Sequence, residues 1–183
     1  KLFGSPFLYE RQALLLAASF LPQPRDPSYT EAVASTLSSI LTTHAAGTMV
    51  LFTSYRMLKQ VYRELKPVLE KEGVQLLAQS ISGSRSTLLR TFREERRSVL
   101  LGTSSFWEGV DVQGKALEVL VITRIPFDVP TEPVVEARTE LEEKKSGNGL
   151  MNFIVPEALV RFKQGFGRLI RSGSDRGVVI ILD

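Results

Sequence analysis

The chain has 183 residues, 43% hydrophobic and 23% charged, and its 23 Lys and Arg against 20 Asp and Glu leave a net charge of +3. That length fits one domain with a proper core, and the composition is that of an ordinary soluble globular protein. With no Cys and a single His, the sequence excludes disulfides, thiolate zinc sites, Cys-ligated clusters and a His-based metal centre within these residues.

No apolar run approaches the roughly 20 residues needed to span a bilayer. No signal peptide is visible, because Lys1-Leu2-Phe3-Gly4 is followed at once by Ser5-Pro6. The chain starts without Met and stops in the apolar run Ile180-Ile181-Leu182-Asp183, so we expect a piece of a longer protein. The net charge is too small to diagnose a nucleic-acid partner. Its distribution says more: Arg85, Arg90, Arg93, Arg96 and Arg97 crowd one segment, and Glu136, Glu140, Glu142 and Glu143 another. Arg outnumbers Lys, which favours phosphate or interface roles without proving them.

Residues 1–27 read as an irregular lead-in, broken by Pro6, Pro22, Pro24 and Pro27, with a short helix around 10–19. Ser28-Tyr29-Thr30-Glu31 is a capping-box pattern, and Val33, Leu37, Ile40 and Leu41 continue it at helical spacing until Gly47. His44 falls at the end of that helix or on the surface. A short apolar run over 48–53 predicts a buried strand. Ser54 then caps a helix with Leu58, Val61, Tyr62, Leu65, Val68 and Leu69 on one face. Pro67 should kink or restart it, and Gly73 ends it. A strand follows over 74–78, then a turn at Ser82-Gly83-Ser84 and an Arg-rich helix with Leu88, Leu89 and Phe92 inward. Further strands are predicted over 98–101, 117–123 and 177–182. Residues 131–145 read as an acidic, amphipathic helix, and Ser146-Gly147-Asn148-Gly149 as a loop. In the next helix Pro156 and Glu157 suit a first turn, and Leu159, Val160 and Phe162 begin its apolar stripe.

Short apolar strands alternating with helices imply an α/β fold, with a mostly parallel sheet covered on both faces. Ligands in such sheets sit at the carboxyl ends of strands. That rule singles out Thr53-Ser54-Tyr55, the stretch 79–83, and Gly102-Thr103-Ser104-Ser105.

Two stretches carry candidate chemistry. In Gln164-Gly165-Phe166-Gly167-Arg168-Leu169-Ile170-Arg171, helical spacing puts Gln164, Arg168 and Arg171 on one face. The two glycines weaken a helix by up to about 1 kcal/mol each, which suggests close approach of something to the backbone. A planar, permanently charged fork suits phosphate, although two arginines also suit a solvated basic face. In Gly102-Thr103-Ser104-Ser105-Phe106-Trp107-Glu108-Gly109-Val110-Asp111, small hydroxylated residues and free N–H groups at a strand end suit phosphate. Glu108 and Asp111 suit a ribose hydroxyl or an arginine. A plain strand-end turn with Trp107 as core filler is the competing reading.

Phe106-Trp107-Glu108-Gly109-Val110-Asp111, followed by Gln164 to Arg171, resembles motifs V and VI of superfamily 2 helicases in the variant of the DinG/XPD-like DNA helicases. Val50-Leu51-Phe52-Thr53-Ser54-Tyr55 resembles motif IV. Pro126-Phe127 with Pro130 and Pro133, Ser5-Pro6-Phe7, and Asp175-Arg176-Gly177 match in order and spacing. The resemblance covers essentially the whole chain. There is no Gly-x-x-x-x-Gly-Lys-Ser/Thr loop and no Asp-Glu-x-His box, so the chain is similar to the second, RecA-like motor domain alone, over residues 1–183.

The resemblance implies a protein that couples ATP hydrolysis, with Mg²⁺, to 5′→3′ movement on single-stranded DNA. Arg168 and Arg171 would be arginine fingers, and Gln164 would position the attacking water or the phosphate. Gly109, Asp111 and Gly167 would face the nucleotide, and Glu108 would tie motif V to motif VI. Ser54, Tyr55, Thr103 and Ser104 would hold the DNA backbone, with Gln79 and Arg85 as weaker candidates. For Arg90, Arg93, Arg96 and Arg97 a solvated face is the better reading. The first motor domain, expected to hold most of the ATP–Mg²⁺ contacts and any iron–sulfur cluster, would be the intramolecular partner. No metal site is expected within these residues, nor a membrane partner, and a bacterial, cytoplasmic, nucleoid-associated and non-secreted setting follows from the likeness. The rival is a non-catalytic RecA-like module that binds nucleotide or a protein. A Rossmann oxidoreductase is disfavoured, since no Gly-x-Gly-x-x-Gly follows the first strand.

Overall fold

The structure, a computed structural model, describes residues 7–44, 47–103, 106, 116–167, 169–170 and 172–183. Six strands form one sheet in the order β1-β6-β5-β2-β4-β3, and every neighbouring pair is parallel. In chain order the elements are α1 (Tyr9–Gln12), β1 (Ala13–Ala17), α2 (Tyr29–Thr43), β2 (Thr48–Leu51), α3 (Tyr55–Lys71), β3 (Gln75–Ala78) and α4 (Arg85–Glu94). Then come β4 (Ser98–Gly102), β5 (Val119–Ile122), α5 (Pro133–Ser146), a π-helical turn (Leu150–Ile154), α6 (Val155–Phe166) and β6 (Gly177–Ile181).

β2, β4 and β5 are buried at every position, because helices cover both faces of the sheet centre. On one face α2 (Val33, Leu37, Leu41) and α3 (Leu58, Val61, Leu65, Leu69) pack on Val50, Val99, Leu101 and Val121. On the other, α4 (Leu88, Phe92), Phe106, Leu169 and Ile170 pack on Met49, Leu51, Leu100, Leu120 and Ile122. The α/β, parallel-sheet reading therefore holds.

Several local readings are corrected. The lead-in is not irregular throughout, and the helix expected around 10–19 is only Tyr9–Gln12; Ala13–Ala17 is a sixth strand. Ala and Leu favour helix over strand in isolation, and pairing along Gly177–Ile181 overrides that preference. The capping box at Ser28 does not form: Ser28 is itself α-helical, and its N–H and hydroxyl donate to Asp26 Oδ1 at 2.8 and 2.7 Å. Those bonds hold the Asp26 carboxyl below its usual pKa. Pro67 does not split α3, which runs on to Lys71. It lies on the exposed face, where the carbonyl it leaves unbonded meets water, between turns anchored by Leu65 and Leu69.

α5 does not pack as an amphipathic helix. It buries only Val135 and leaves Val134 and Leu141 outside. In α6 the inward side is Ala158 and Gly165, with Phe162 and Phe166 half-buried, while Leu159 and Val160 are exposed. His44 does close α2, and it is exposed.

Candidate functional site

Parallel strands align their carboxyl ends, so the residues that follow β3, β4 and β2 emerge on one rim. The ladder continues one step past the strands: Gln79 N–H donates to the Leu101 carbonyl at 3.0 Å, and Phe52 N–H to the Gly102 carbonyl at 2.8 Å. Three of the predicted stretches meet there. Gln79 Oε1 accepts from Thr103 N–H at 2.7 Å and from Thr103 Oγ1 at 3.0 Å. Gln79 Nε2 donates to the Tyr55 hydroxyl, which also lies 3.4 Å from Ser80 Oγ.

The turn after β3 sets this geometry. Ile81 and Ser82 N–H both bond the Ala78 carbonyl, and Ser82 Oγ accepts from Ala78 N–H at 3.1 Å. Ser80 takes φ +61°, a left-handed conformation that costs a non-glycine residue about 1 kcal/mol or more. Thr103 is buried at 3% exposure, whereas Tyr55 is 42% exposed. Ser54 caps α3, its side chain accepting from Met57 N–H at 3.5 Å. Arg85, the exposed first residue of α4, places its guanidinium 5.6 Å from the centre of the Phe106 ring. Phe106 in turn lies against Gly102, where a Cβ would come within 2.7 Å of the Phe106 Cβ and Cγ. Arg90, Arg93, Arg96 and Arg97 are exposed, as expected.

Along the same rim a groove of about 370 Å³ is lined by Ser54, Arg56, Gln60, Thr30, Tyr29 and Arg124. Sequence reasoning passed over Arg56 and Arg124. Their one signal was position: Arg56 directly follows Thr53-Ser54-Tyr55, and Arg124 lies two residues past the end of β5.

The arginine motif behaves differently from its helical reading. α6 ends at Phe166, and Gly167 (φ −64°, ψ −3°) is its C-cap. Gln164 lies in the last turn of α6 and is exposed; its expected alignment with Arg168 and Arg171 falls on residues outside the described ones. Leu169 and Ile170 are buried at 3% and 1%, so the backbone of the motif is pinned to the core. Gly167 has a backbone conformation open to any residue. A Cβ there would meet, among the described residues, only the Lys163 carbonyl at 3.2 Å and the Gln164 carbonyl at 3.7 Å. Arg168, Arg171, Ser104, Trp107, Glu108, Gly109 and Asp111 lie outside the described residues.

Two supports of this segment were not foreseen. Gln12, 8% exposed, donates from Nε2 to the carbonyls of Ser172 (2.9 Å) and Asp175 (3.0 Å), and its Oε1 accepts from Leu8 N–H. It ties the loop after the motif to the start of the chain. Arg161 of α6 pairs with Asp128 in the loop after β5, with the carboxylate 15% exposed. Tyr9 adds an edge contact on Phe166, ring centres 5.2 Å apart.

Among the described residues, no group of three or more His, Cys, Asp or Glu is placed to hold a metal ion, and no helix is long and apolar enough to cross a membrane.

The sequence pattern of the helicase C-terminal domain family matches residues 37–183. The chain is 39% identical to the 3'-5' exonuclease DinG of Bacillus subtilis, over 98% of this chain and 20% of that protein. It is also 39% identical to the ATP-dependent DNA helicase YoaA of Haemophilus influenzae, over 100% of this chain and 28% of that protein. The chain thus spans 20% and 28% of the length of these two curated relatives. In fold it is similar to S. tokodaii Xpd4, with a TM-score of 0.72 at 18% identity, covering 94% of this chain and 34% of that one. The C-terminal domain of the DEAD-box protein Dbp5 gives 0.55 at 16% identity, covering 93% and 74%.

Proposed function

Because the chain belongs to the helicase C-terminal domain family, in its DinG/XPD-like branch, we propose that it is the second motor domain of an ATP-dependent 5′→3′ DNA helicase. One face would carry single-stranded DNA, and the arginine motif would serve the ATP phosphates bound mainly by a first motor domain. The observation that carries this reading is the rim itself. Residues from three separate strand ends, Tyr55, Gln79 and Thr103, converge in one hydrogen-bonded cluster next to the Ser54 cap of α3.

On this reading Ser54, Tyr55 and Arg85 face the strand. Thr103 and Gln79 support them from behind, and Ser104 belongs to the same loop. Bound ATP with Mg²⁺ supplies the phosphoryl group transferred to water. Gln164 is exposed, which fits the approach of a triphosphate, and Gly167 would face it. Glu108, Gly109 and Asp111 would complete the nucleotide side. Arg168 and Arg171 would stabilise charge that develops on the phosphoryl oxygens, a contribution on the order of 10³–10⁵ in rate in related enzymes.

The test uses the intact enzyme. Arg168→Ala should cut hydrolysis on the order of 10³-fold while changing ATP affinity little, and Arg168→Lys should rescue poorly because an ammonium lacks the planar fork. Normal turnover by Arg168→Ala would overturn the assignment and leave a non-catalytic module as the better description.

A further inference from the structure

We infer that Gln79 is a positioning residue rather than a DNA contact, and that what it positions is the Tyr55 ring, held as a stacking platform for one base of the single strand. The inference rests on the single-strand reading above and goes beyond it by naming the contact and its support.

The argument starts from the amide. Thr103 N–H can only donate, so the group facing it at 2.7 Å must be the amide oxygen, and Nε2 is then the group at the Tyr55 hydroxyl. Both ends of the Gln79 side chain are thus engaged inside the protein. Its backbone N–H is engaged as well, in the ladder to Leu101. The side chain crosses β4 from the sheet edge to reach the first residue of α3. The Tyr55 hydroxyl oxygen accepts a hydrogen bond from Gln79 Nε2, which leaves its own O–H to turn toward Ser80 Oγ at 3.4 Å. A phenol held at its far end loses ring freedom.

An exposed tyrosine elsewhere on a surface is a mobile side chain. Here the ring is 42% exposed, while its hydroxyl is tied down by residues from a different strand. Immobilising an aromatic ring before binding removes the entropy cost of ordering it later. Bases stack on such rings with little regard to sequence, since every base offers a π-face. A motor that advances along arbitrary sequence needs a contact of that kind, and a side-chain hydrogen bond to a base edge would not serve.

The experiment is a double-mutant cycle with the 183-residue chain and a short oligo-dT carrying one 2-aminopurine at successive positions. Wild type should bind at low salt and quench the probe at one position. Tyr55→Ala should abolish that quench and lower affinity on the order of tenfold. Gln79→Leu and Tyr55→Phe should each weaken binding several-fold, and the double variant should be no weaker than either single one, because both remove the same restraint. Gln79→Glu keeps an acceptor for Thr103 N–H and can accept from the Tyr55 hydroxyl, so it should retain the quench even where added negative charge weakens binding. It also serves if Gln79→Leu fails to fold. Additive losses in the cycle would make Gln79 a direct contact and overturn the inference. An undiminished quench in Tyr55→Ala would overturn it too. No binding by wild type would instead defeat the single-strand reading itself, and this inference with it.

Discussion

The Tyr29 hydroxyl lies 2.9 Å from the Leu182 carbonyl and also bonds the Thr123 carbonyl, so the first turn of α2 is fastened to the residues just past β6 and β5. Burial pushes the phenol up to about 12, the Asp183 carboxylate pushes the same way, and Arg124 pulls against both. The folded pKa is raised, so the neutral phenol stabilises the fold fully below pH 10, and that contribution is lost as pH rises from about 10 to about 12. A shift of this size corresponds to roughly 2–3 kcal/mol. Chemical denaturation from pH 8 to pH 12 should therefore show a loss in that window. Tyr29→Phe should lack it and should be about 1–2 kcal/mol less stable at pH 8, for want of the hydrogen bonds. Parallel curves for the two proteins above pH 10 would contradict this.

Gly102→Ala tests the close seating of Phe106. A methyl group there would overlap the Phe106 side chain at 2.7 Å, so β4 or the ring must move. We expect a loss of about 1–3 kcal/mol by thermal or urea melting. Combining it with Phe106→Ala should cost less than the sum of the two single losses. Simple additivity would mean that the overlap relaxes elsewhere.

The Asp128–Arg161 pair ties the loop after β5 to α6, on the side from which the arginine motif departs. The guanidinium is 38% exposed, so its worth to stability is small, about 1 kcal/mol or less. Its geometric effect should be larger. In the intact enzyme Asp128→Asn should lower the rate of ATP hydrolysis several-fold while the melting temperature moves by only a few degrees. A melting shift without a kinetic one would make the pair purely structural.

The 183-residue chain alone should hydrolyse no ATP, since it carries neither the phosphate-cradling lysine loop nor the acidic box that holds Mg²⁺ in such enzymes. A sensitive phosphate-release assay on material freed of contaminating ATPase checks this. Turnover that follows the protein through a further column would contradict the half-motor reading.

The parallel α/β sheet was legible because β2, β4 and β5 are mostly apolar along their whole length rather than alternating, the pattern of strands covered on both faces. The strand-end rule was enough to single out Tyr55, Gln79 and Thr103 as neighbours of a ligand site. It gave no sign that they bond to one another, because those bonds join residues 24 apart through side-chain conformation. Gln12 was invisible for a similar reason: its partner Ser172 is 160 residues away. The end of α6 at Phe166 was misread because apolar and charged residues keep helical spacing through Arg171 in the sequence, whereas the helix passes Gly165 and ends with Gly167 as its C-cap. β1 was missed because nothing in Ala-Leu-Leu-Leu-Ala favours extended backbone until β6 lies beside it.

That last pairing bears on how the chain is made. Ala13 is registered against Gly177, and among the described residues β1 pairs with β6 alone. During synthesis the chain emerges from its amino end, so Leu14, Leu15 and Leu16 leave the ribosome long before their partner exists. The other five strands can assemble without them. β1 must then dock last, after closure of a loop of more than 160 residues, at an entropy cost that grows slowly with length but slows the search. Docking does not hide them: Leu14, Leu15 and Leu16 stay 55%, 55% and 44% exposed in the folded chain, so the backbone ladder to β6 rather than side-chain burial holds β1 in place.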